Sequence, residues 1–276
     1  MTALEDWSAA LRAWAIPESI LAAAPESPYG FPSELFARRA EDAAAQTEVT
    51  PTTREALEAL PLGGDVLDVG VGGGATSIPL AVRAGRIAGV DESPLLLASF
   101  RDAAATAGVE SVGVLGTWPE VAGRVPIADI VVCGHVLYNV RDPELFVREL
   151  EAHASRRVVL ELTDRHPLAW MHDLWETFHG LPRPEGPTVA DCEAWLRELG
   201  IDASREARPQ RGVGWFDRRE DAVALVRRRL CLAAGRDGEI ERALGDRLVE
   251  HDGRWSAGPP SGEVVTLWWD LPAAAG

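Results

Sequence analysis

The residues best able to do chemistry in this chain lie in Val66-Leu67-Asp68-Val69-Gly70-Val71-Gly72-Gly73-Gly74-Ala75. A short apolar strand precedes the glycines and a helix is expected after them, the context that gives a glycine-rich turn its meaning. Gly70 permits a tight turn, Gly72 lets the backbone approach a ligand closely, and Gly74 or Ala75 allows the helix to pack against the strand. Asp91 ends the next predicted strand, where a carboxylate can accept hydrogen bonds from both hydroxyls of a ribose. Together these residues read as a nucleoside site.

By letters alone the turn also satisfies the G-x-G-x-x-G/A pattern of nicotinamide and flavin proteins. Charge separates the alternatives. A dinucleotide sets a pyrophosphate against the helix N-terminus, and Asp68, two residues before Gly70, is a like charge there. S-adenosylmethionine brings a sulfonium and an ammonium, both cationic, and an acidic wall suits both. An NAD(P)-dependent oxidoreductase stands as the alternative enzyme. A non-catalytic S-adenosylmethionine-binding protein is the alternative without turnover.

The elements needed to hold these groups are legible from about residue 61. After the first strand, Thr76–Arg83 reads as a helix closed by Gly85, and Arg86–Val90 as the second strand. Ser93 with Pro94 opens a helix that stops at Gly108. Val112–Leu115, Ile130–Cys133 and Arg157–Leu162 are three further strands, with a helix opened by Asp142-Pro143 before the last. Thr188 with Asp191 resembles a capping box and starts a helix ending at Gly200. Ile201–Ala207 and Glu263–Trp269 are expected as the final strands. Short apolar strands alternating with helices call for a parallel sheet covered on both faces. Residues 1–60 read as an N-terminal helical cap carrying Trp7, Trp14, Tyr29, Phe31 and Phe36. Residues 61–276 read as one α/β domain with a helical insertion at about 211–262, in which Arg219–Ala234 and Glu239–Val249 pair.

VLDVGVGGGA resembles the first motif of class I S-adenosylmethionine-dependent methyltransferases, with the D-x-G-x-G-x-G core intact from Asp68 to Gly74. The resemblance covers roughly residues 60–210 plus 263–270. It implies a Rossmann-like, seven-stranded, mostly parallel sheet with a C-terminal β-hairpin strand. It implies S-adenosylmethionine as cofactor, S-adenosylhomocysteine as product, and a small-molecule acceptor methylated at oxygen or nitrogen. Asp91, with Glu92 beside it, matches the family's acidic position after strand two. Gly116-Thr117-Trp118 fall where that family contacts adenine, and Cys133-Gly134-His135 where it passes the methionine part of the cofactor. Trp118 reads as readily as a core aromatic.

Ligands bind outside the carboxyl ends of the strands in open α/β sheets, so the residues there are the candidates for acceptor chemistry. His135 is the first choice as base or acceptor-positioning group, with Tyr138 as a second orienting residue. Tyr29, Asn139, Asp164, His166 and Trp170 are candidate acceptor contacts. No Asn/Asp-Pro-Pro-Tyr/Phe follows strand four, the motif common in amino-group methylation of adenine or glutamine, and no Pro-Cys nucleophile is present for carbon-5 pyrimidine methylation. His172, Glu176 and His179 share a helical spacing that could hold a metal, but a polar helix face explains them and no metal is expected.

Composition bounds the rest. The chain has 276 residues, 27 basic against 43 acidic, for a net charge of −16. Every basic residue is Arg, and Asn139 is the single asparagine. A duplex-binding protein needs a basic face, so nucleic acid is not an expected partner. No apolar run is long enough for a membrane helix, and the N-terminus lacks a secretion signal. The three cysteines, Cys133, Cys192 and Cys231, are scattered, which suits reduced thiols and a cytoplasmic protein.

Overall fold

The computed structural model describes residues 2–29, 49–210, 215–259 and 261–272; Phe31 and Phe36 of the N-terminal cap lie outside the described residues, as do 211–214 of the expected insertion. Five parallel strands form most of the main sheet: β1 (Gly64–Val69), β2 (Ala84–Asp91), β3 (Glu110–Leu115), β4 (Ala128–Gly134) and β5 (Ala154–Thr163). They are followed by β6 (Ser204–Pro209), the short β7 (Leu248–His251) and β8 (Arg254–Ala257), and β9 (Glu263–Asp270). The order is β3-β2-β1-β4-β5-β9-β6, with β9 inserted antiparallel between β5 and β6. This is the Rossmann-like, seven-stranded, mostly parallel sheet that the sequence implies, with β7 and β8 as a separate hairpin.

Nine helices are described: α1 (Ala3–Ala13), α2 (Glu18–Ala23), α3 (Pro51–Ala59), α4 (Pro94–Ala107), α5 (Pro143–Ala152), α6 (His172–His179), α7 (Val189–Glu198), α8 (Arg219–Arg229) and α9 (Asp237–Leu244). Their ends follow local chemistry. Ser93 accepts from the Leu96 amide and Pro94 fills the first turn of α4, which stops at Gly108 in the left-handed conformation (φ 71°). Thr188 and Asp191 close a reciprocal capping box on α7. Asp142 makes no side-chain cap, so Pro143 alone sets the start of α5.

Each sheet face carries its own apolar layer. α3 and α4 cover one through Ala56, Leu60, Leu97 and Phe100. α1, α5 and α7 cover the other through Trp7, Phe146, Val147 and Trp195. Trp7 is fully buried, packs its ring on Tyr138 and Trp195, and donates its indole N–H to Val140 O at 2.9 Å. That pins α1 against the loop after β4. A third cluster joins α6, α8 and α9 through Trp175, Val226 and Leu244, with Ile16, Ile20 and Leu21 packed on it. Among the described residues no helix is long and apolar enough to cross a membrane.

Three expectations change. Thr76–Arg83 is not an α-helix; only a short 3-10 turn forms, at Ile78–Val82. Pro79 disfavours the helical region at Ile78 before it, and Gly85 belongs to β2, where an added Cβ would lie 2.5 Å from Gly63 O. β6 begins at Ser204 rather than Ile201, because Ile201 is drawn into the core just after the left-handed Gly200 (φ 80°). The second half of the insertion is α9 followed by the β7–β8 hairpin, not one helix. Its signal was Asp252-Gly253, whose φ values of 51° and 74° suit the primed turns that hairpins favour.

Candidate active site

The glycine turn leaves no room for a side chain at Gly70 or Gly74. Gly70 has φ 75°, and a Cβ there would sit 2.2 Å from Val136 Cγ2. Gly74 has φ 89°, with Ile78 Cγ1 at 2.6 Å from the same point. Gly72, also left-handed, donates its amide to Asp91 Oδ2 at 2.9 Å, while Ser93 N reaches Asp91 Oδ1 at 2.8 Å. The carboxylate is therefore oriented by backbone, and each oxygen retains acceptor capacity for a ribose hydroxyl. Glu92 beside it is exposed. Asp91→Ala is expected to weaken S-adenosylmethionine binding by ~1–3 kcal/mol, the cost of leaving polar groups unmatched; calorimetry showing unchanged affinity would remove Asp91 from the site.

Asp68 is 1% exposed at the carboxyl end of β1, and neither carboxylate oxygen has a hydrogen-bond partner. Burial pushes its pKa up to about 7, with the charge of Asp91 adding to the rise. Ser77 opposes the shift, but it stops short of hydrogen-bond geometry and its Oγ is itself unpartnered. A buried acid with no partner beneath a glycine turn fits a ligand that carries positive charge and N–H donors. At the end of β4, Gly134 faces Thr76 so closely that a Cβ would lie 2.4 Å from Thr76 Oγ1. After β3, Gly116 donates its amide to Asp91 O at 3.0 Å and takes φ 148°. Thr117 is exposed. Trp118 is buried, its indole N–H donating to Phe146 O at 3.2 Å and its ring edge-on to His153; the core holds it.

His135 directly follows Gly134, in the left-handed region at φ 59°, with its amide donating to Glu161 O at 2.7 Å. Its imidazole is 42% exposed, and Nε2 lies 3.0 Å from Glu161 Oε1, at ion-pair distance. Glu161 sits on β5, almost entirely buried, in register with Gly134 on one side and Thr266 on the other. Thr52 of α3 donates to Glu161 Oε2 at 2.6 Å, Thr52 and Thr266 hydroxyls meet at 2.7 Å, and Arg208 Nη2 comes within 3.5 Å of Oε2. Burial alone would raise Glu161, yet His135, Arg208 and Thr52 together hold it down to about 2. An ionised carboxylate thus stands behind a half-exposed imidazole.

Tyr138 is buried, its hydroxyl donating to Thr163 O at 2.7 Å, and burial pushes the phenol well above its usual range. His166 stacks on Trp14 at 3.8 Å between ring centroids and meets Tyr138 edge-on at 5.5 Å. Burial, helped by the charge of Arg183, lowers His166 to about 3, so it is neutral. Asp164 accepts from Glu263 N at 3.2 Å and ties β5 to β9. Asn139 is exposed in a 3-10 turn, and Tyr29 is 56% exposed. Trp170 packs on the third core under Arg247 at 5.9 Å. The structure thus sets Tyr138 against His166, pairs His135 just after β4 with Glu161 of β5, and places Trp170 with the insertion. His172 Nδ1 pairs with Arg183 O at 2.6 Å and His179 Nε2 with Leu230 O at 2.7 Å, and no metal-holding group of three such side chains occurs among the described residues.

Sequence reasoning missed Glu161, Thr52, Arg208 and Arg183. Glu161 had a signal: it is the lone charge inside the apolar run Val158–Leu162, and such a charge demands a partner.

Residues 67–157 match a family model described as a methyltransferase domain. Two solved structures share the fold. One is a provisionally assigned methyltransferase from Bacillus halodurans C-125, 18% identical, covering 82% of this chain and 100% of its own, with a TM-score of 0.56. The other is the YcgJ protein of Bacillus subtilis, 16% identical, covering 79% and 97%, with a TM-score of 0.51. No curated protein matches the sequence. The methyltransferase-domain match spans the end of β1, the glycine turn, Asp91 and His135 and runs into β5.

Proposed function

We propose that this protein is a class I S-adenosylmethionine-dependent methyltransferase that methylates oxygen or nitrogen of a small molecule, with His135 as the proton acceptor. The observation that carries this reading is the His135–Glu161 pair at the carboxyl end of β4, an exposed imidazole backed by a buried carboxylate. When bound, S-adenosylmethionine supplies a methyl whose carbon–sulfur bond breaks as the bond from the acceptor forms, leaving a neutral thioether. Gly70, Gly72, Gly74 and Gly134 provide the close backbone approach, Asp91 the ribose contact, and Asp68 the negative wall. His135 takes the proton of the acceptor O–H or N–H, and Glu161 stabilises the imidazolium that results. The exposed ring then returns the proton to solvent. Alignment of acceptor and methyl supplies the remainder of the rate.

Glu161→Gln keeps the shape but removes the countercharge. It is expected to lower kcat about tenfold, the worth of one charge-assisted contact, while cofactor affinity stays within about twofold. Steady-state kinetics beside calorimetry check this; an equal loss in both would make Glu161 part of the cofactor wall.

The N-terminal cap (1–60) and the insertion (about 211–262) shape the acceptor side in this reading, supported by the packing of Ile16, Ile20 and Leu21 against α8 and α9. A reducing, cytoplasmic setting is supported by three free, buried cysteines. The net charge of −16 supports a small acceptor over nucleic acid. Methyl-labelled S-adenosylmethionine incubated with the enzyme and a cell extract tests the acceptor class. Label is expected in the low-mass fraction; label confined to protein or nucleic acid would contradict the reading, and tight S-adenosylhomocysteine binding with no transfer would favour a binding protein without turnover.

A further inference from the structure

Arg183 lies in the extended segment between α6 and α7, and it is 6% exposed. Its guanidinium sits 5.1 Å from the Trp14 ring and 4.9 Å from the Trp175 ring. Nη1 donates to Ala15 O at 3.3 Å and Nη2 donates to Trp14 O, the carbonyls just beyond α1. Nε is buried with no partner, and among the described residues no carboxylate pairs with the group. That is unusual in a chain where acids outnumber bases, 43 to 27. Carbonyl dipoles at a helix end offset part of the charge, but a buried cation ordinarily has an anionic partner. Burial pulls the guanidinium below its usual value, and Tyr29 and Cys231 oppose that.

The surroundings belong to the acceptor rim. Trp14, one of the two flanking rings, carries His166 stacked on its face, and His166 meets Tyr138. Tyr138 and His166 follow the carboxyl ends of β4 and β5.

We propose that Arg183, gripped between Trp14 and Trp175, anchors an oxyanion (a carboxylate or a phosphate) on the methyl acceptor. Nε–H and the remaining Nη2–H share one edge of the guanidinium, and that edge takes an oxyanion side-on. The carbonyls of Trp14 and Ala15 hold the fork in place beforehand, which lowers the ordering cost of binding. The ligand supplies a counter-charge that no carboxylate among the described residues provides. This inference rests on the β4–β5 rim being the acceptor side, but its test needs no turnover, so it can fail or hold separately from the methyl-transfer assignment.

The 276-residue chain is titrated with sodium benzoate and with inorganic phosphate at matched ionic strength, following tryptophan fluorescence, with benzamide and sodium chloride as controls. Saturable binding of benzoate or phosphate, absent with both controls, is expected, and whichever anion binds tells carboxylate from phosphate. Arg183→Gln is expected to weaken that binding at least about tenfold, and Arg183→Lys, which keeps charge without the fork, at least about threefold. Circular dichroism checks folding; if Arg183→Gln does not fold, Arg183→Lys decides alone. Neither anion binding, or binding unchanged in the variants, would overturn the proposal and leave Arg183 as a clamp on α1.

Discussion

His135→Ala is expected to lower kcat by ~10²–10⁴-fold, the range for loss of a positioned general base, while leaving cofactor affinity within about twofold. The reasoning is geometric. The left-handed backbone at His135 turns the chain just past β4, and the Glu161 carboxylate sits behind Nε2 at 3.0 Å. Glu161 is itself fixed by Thr52 and Arg208, so the imidazole rests on a preset charge rather than on mobile water. His135→Gln, which can still donate and accept hydrogen bonds but cannot hold a proton at neutral pH, is expected to stay near the alanine level. Turnover beside calorimetric affinity is the check. A proportionate loss of both would make His135 a cofactor contact, and near-normal turnover would mean that the acceptor needs no base.

The second large effect concerns Asp68 and is seen in stability. Its pKa in the fold is about 7, raised by burial from an ordinary 3.8. A carboxyl whose pKa is raised on folding binds its proton more tightly when folded. Its stabilising contribution is therefore full below the unfolded pKa and fades as pH rises through the folded one. The window runs from about pH 4 to about pH 7, and across it the cofactor-free wild type should lose up to about 4 kcal/mol relative to Asp68→Asn. Urea unfolding of the two proteins at about pH 4.5 and about pH 8 gives the difference directly, since the other carboxylates cancel. A pH-independent difference would mean that Asp68 titrates normally. Added S-adenosylmethionine should stabilise the wild type more than Asp68→Asn at the higher pH, because the cationic ligand then faces an ionised acid.

The frame was largely readable because its signals are local. Ser93-Pro94, Gly108 and the Thr188–Asp191 box each act within one turn of their helix, and the strands are short β-branched runs whose identity survives tertiary context. Asp68, the glycines and Asp91 were readable for the same reason, being set by one turn between two strands. The elements that changed involved competition. Pro79 turned a short helical pattern into a 3-10 turn, and Asp252-Gly253 overrode the helical appearance of the residues before it. The partners that complete the site were out of reach for another reason. Glu161 is 26 residues from His135 and 109 from Thr52 in the chain, and only the register Gly134–Glu161–Thr266 joins them. Arg183 meets Trp14 across 169 residues. No spacing rule links such positions; the sheet order does.

The acidic wall built from Asp68 and Asp91 is the centre of this account, and titrating S-adenosylmethionine and NADH separately into the same purified protein tests it most directly. Saturable binding of S-adenosylmethionine at one per chain, with no heat from NADH and no displacement by it, is the expected outcome. NADH binding that S-adenosylmethionine cannot displace would contradict the account.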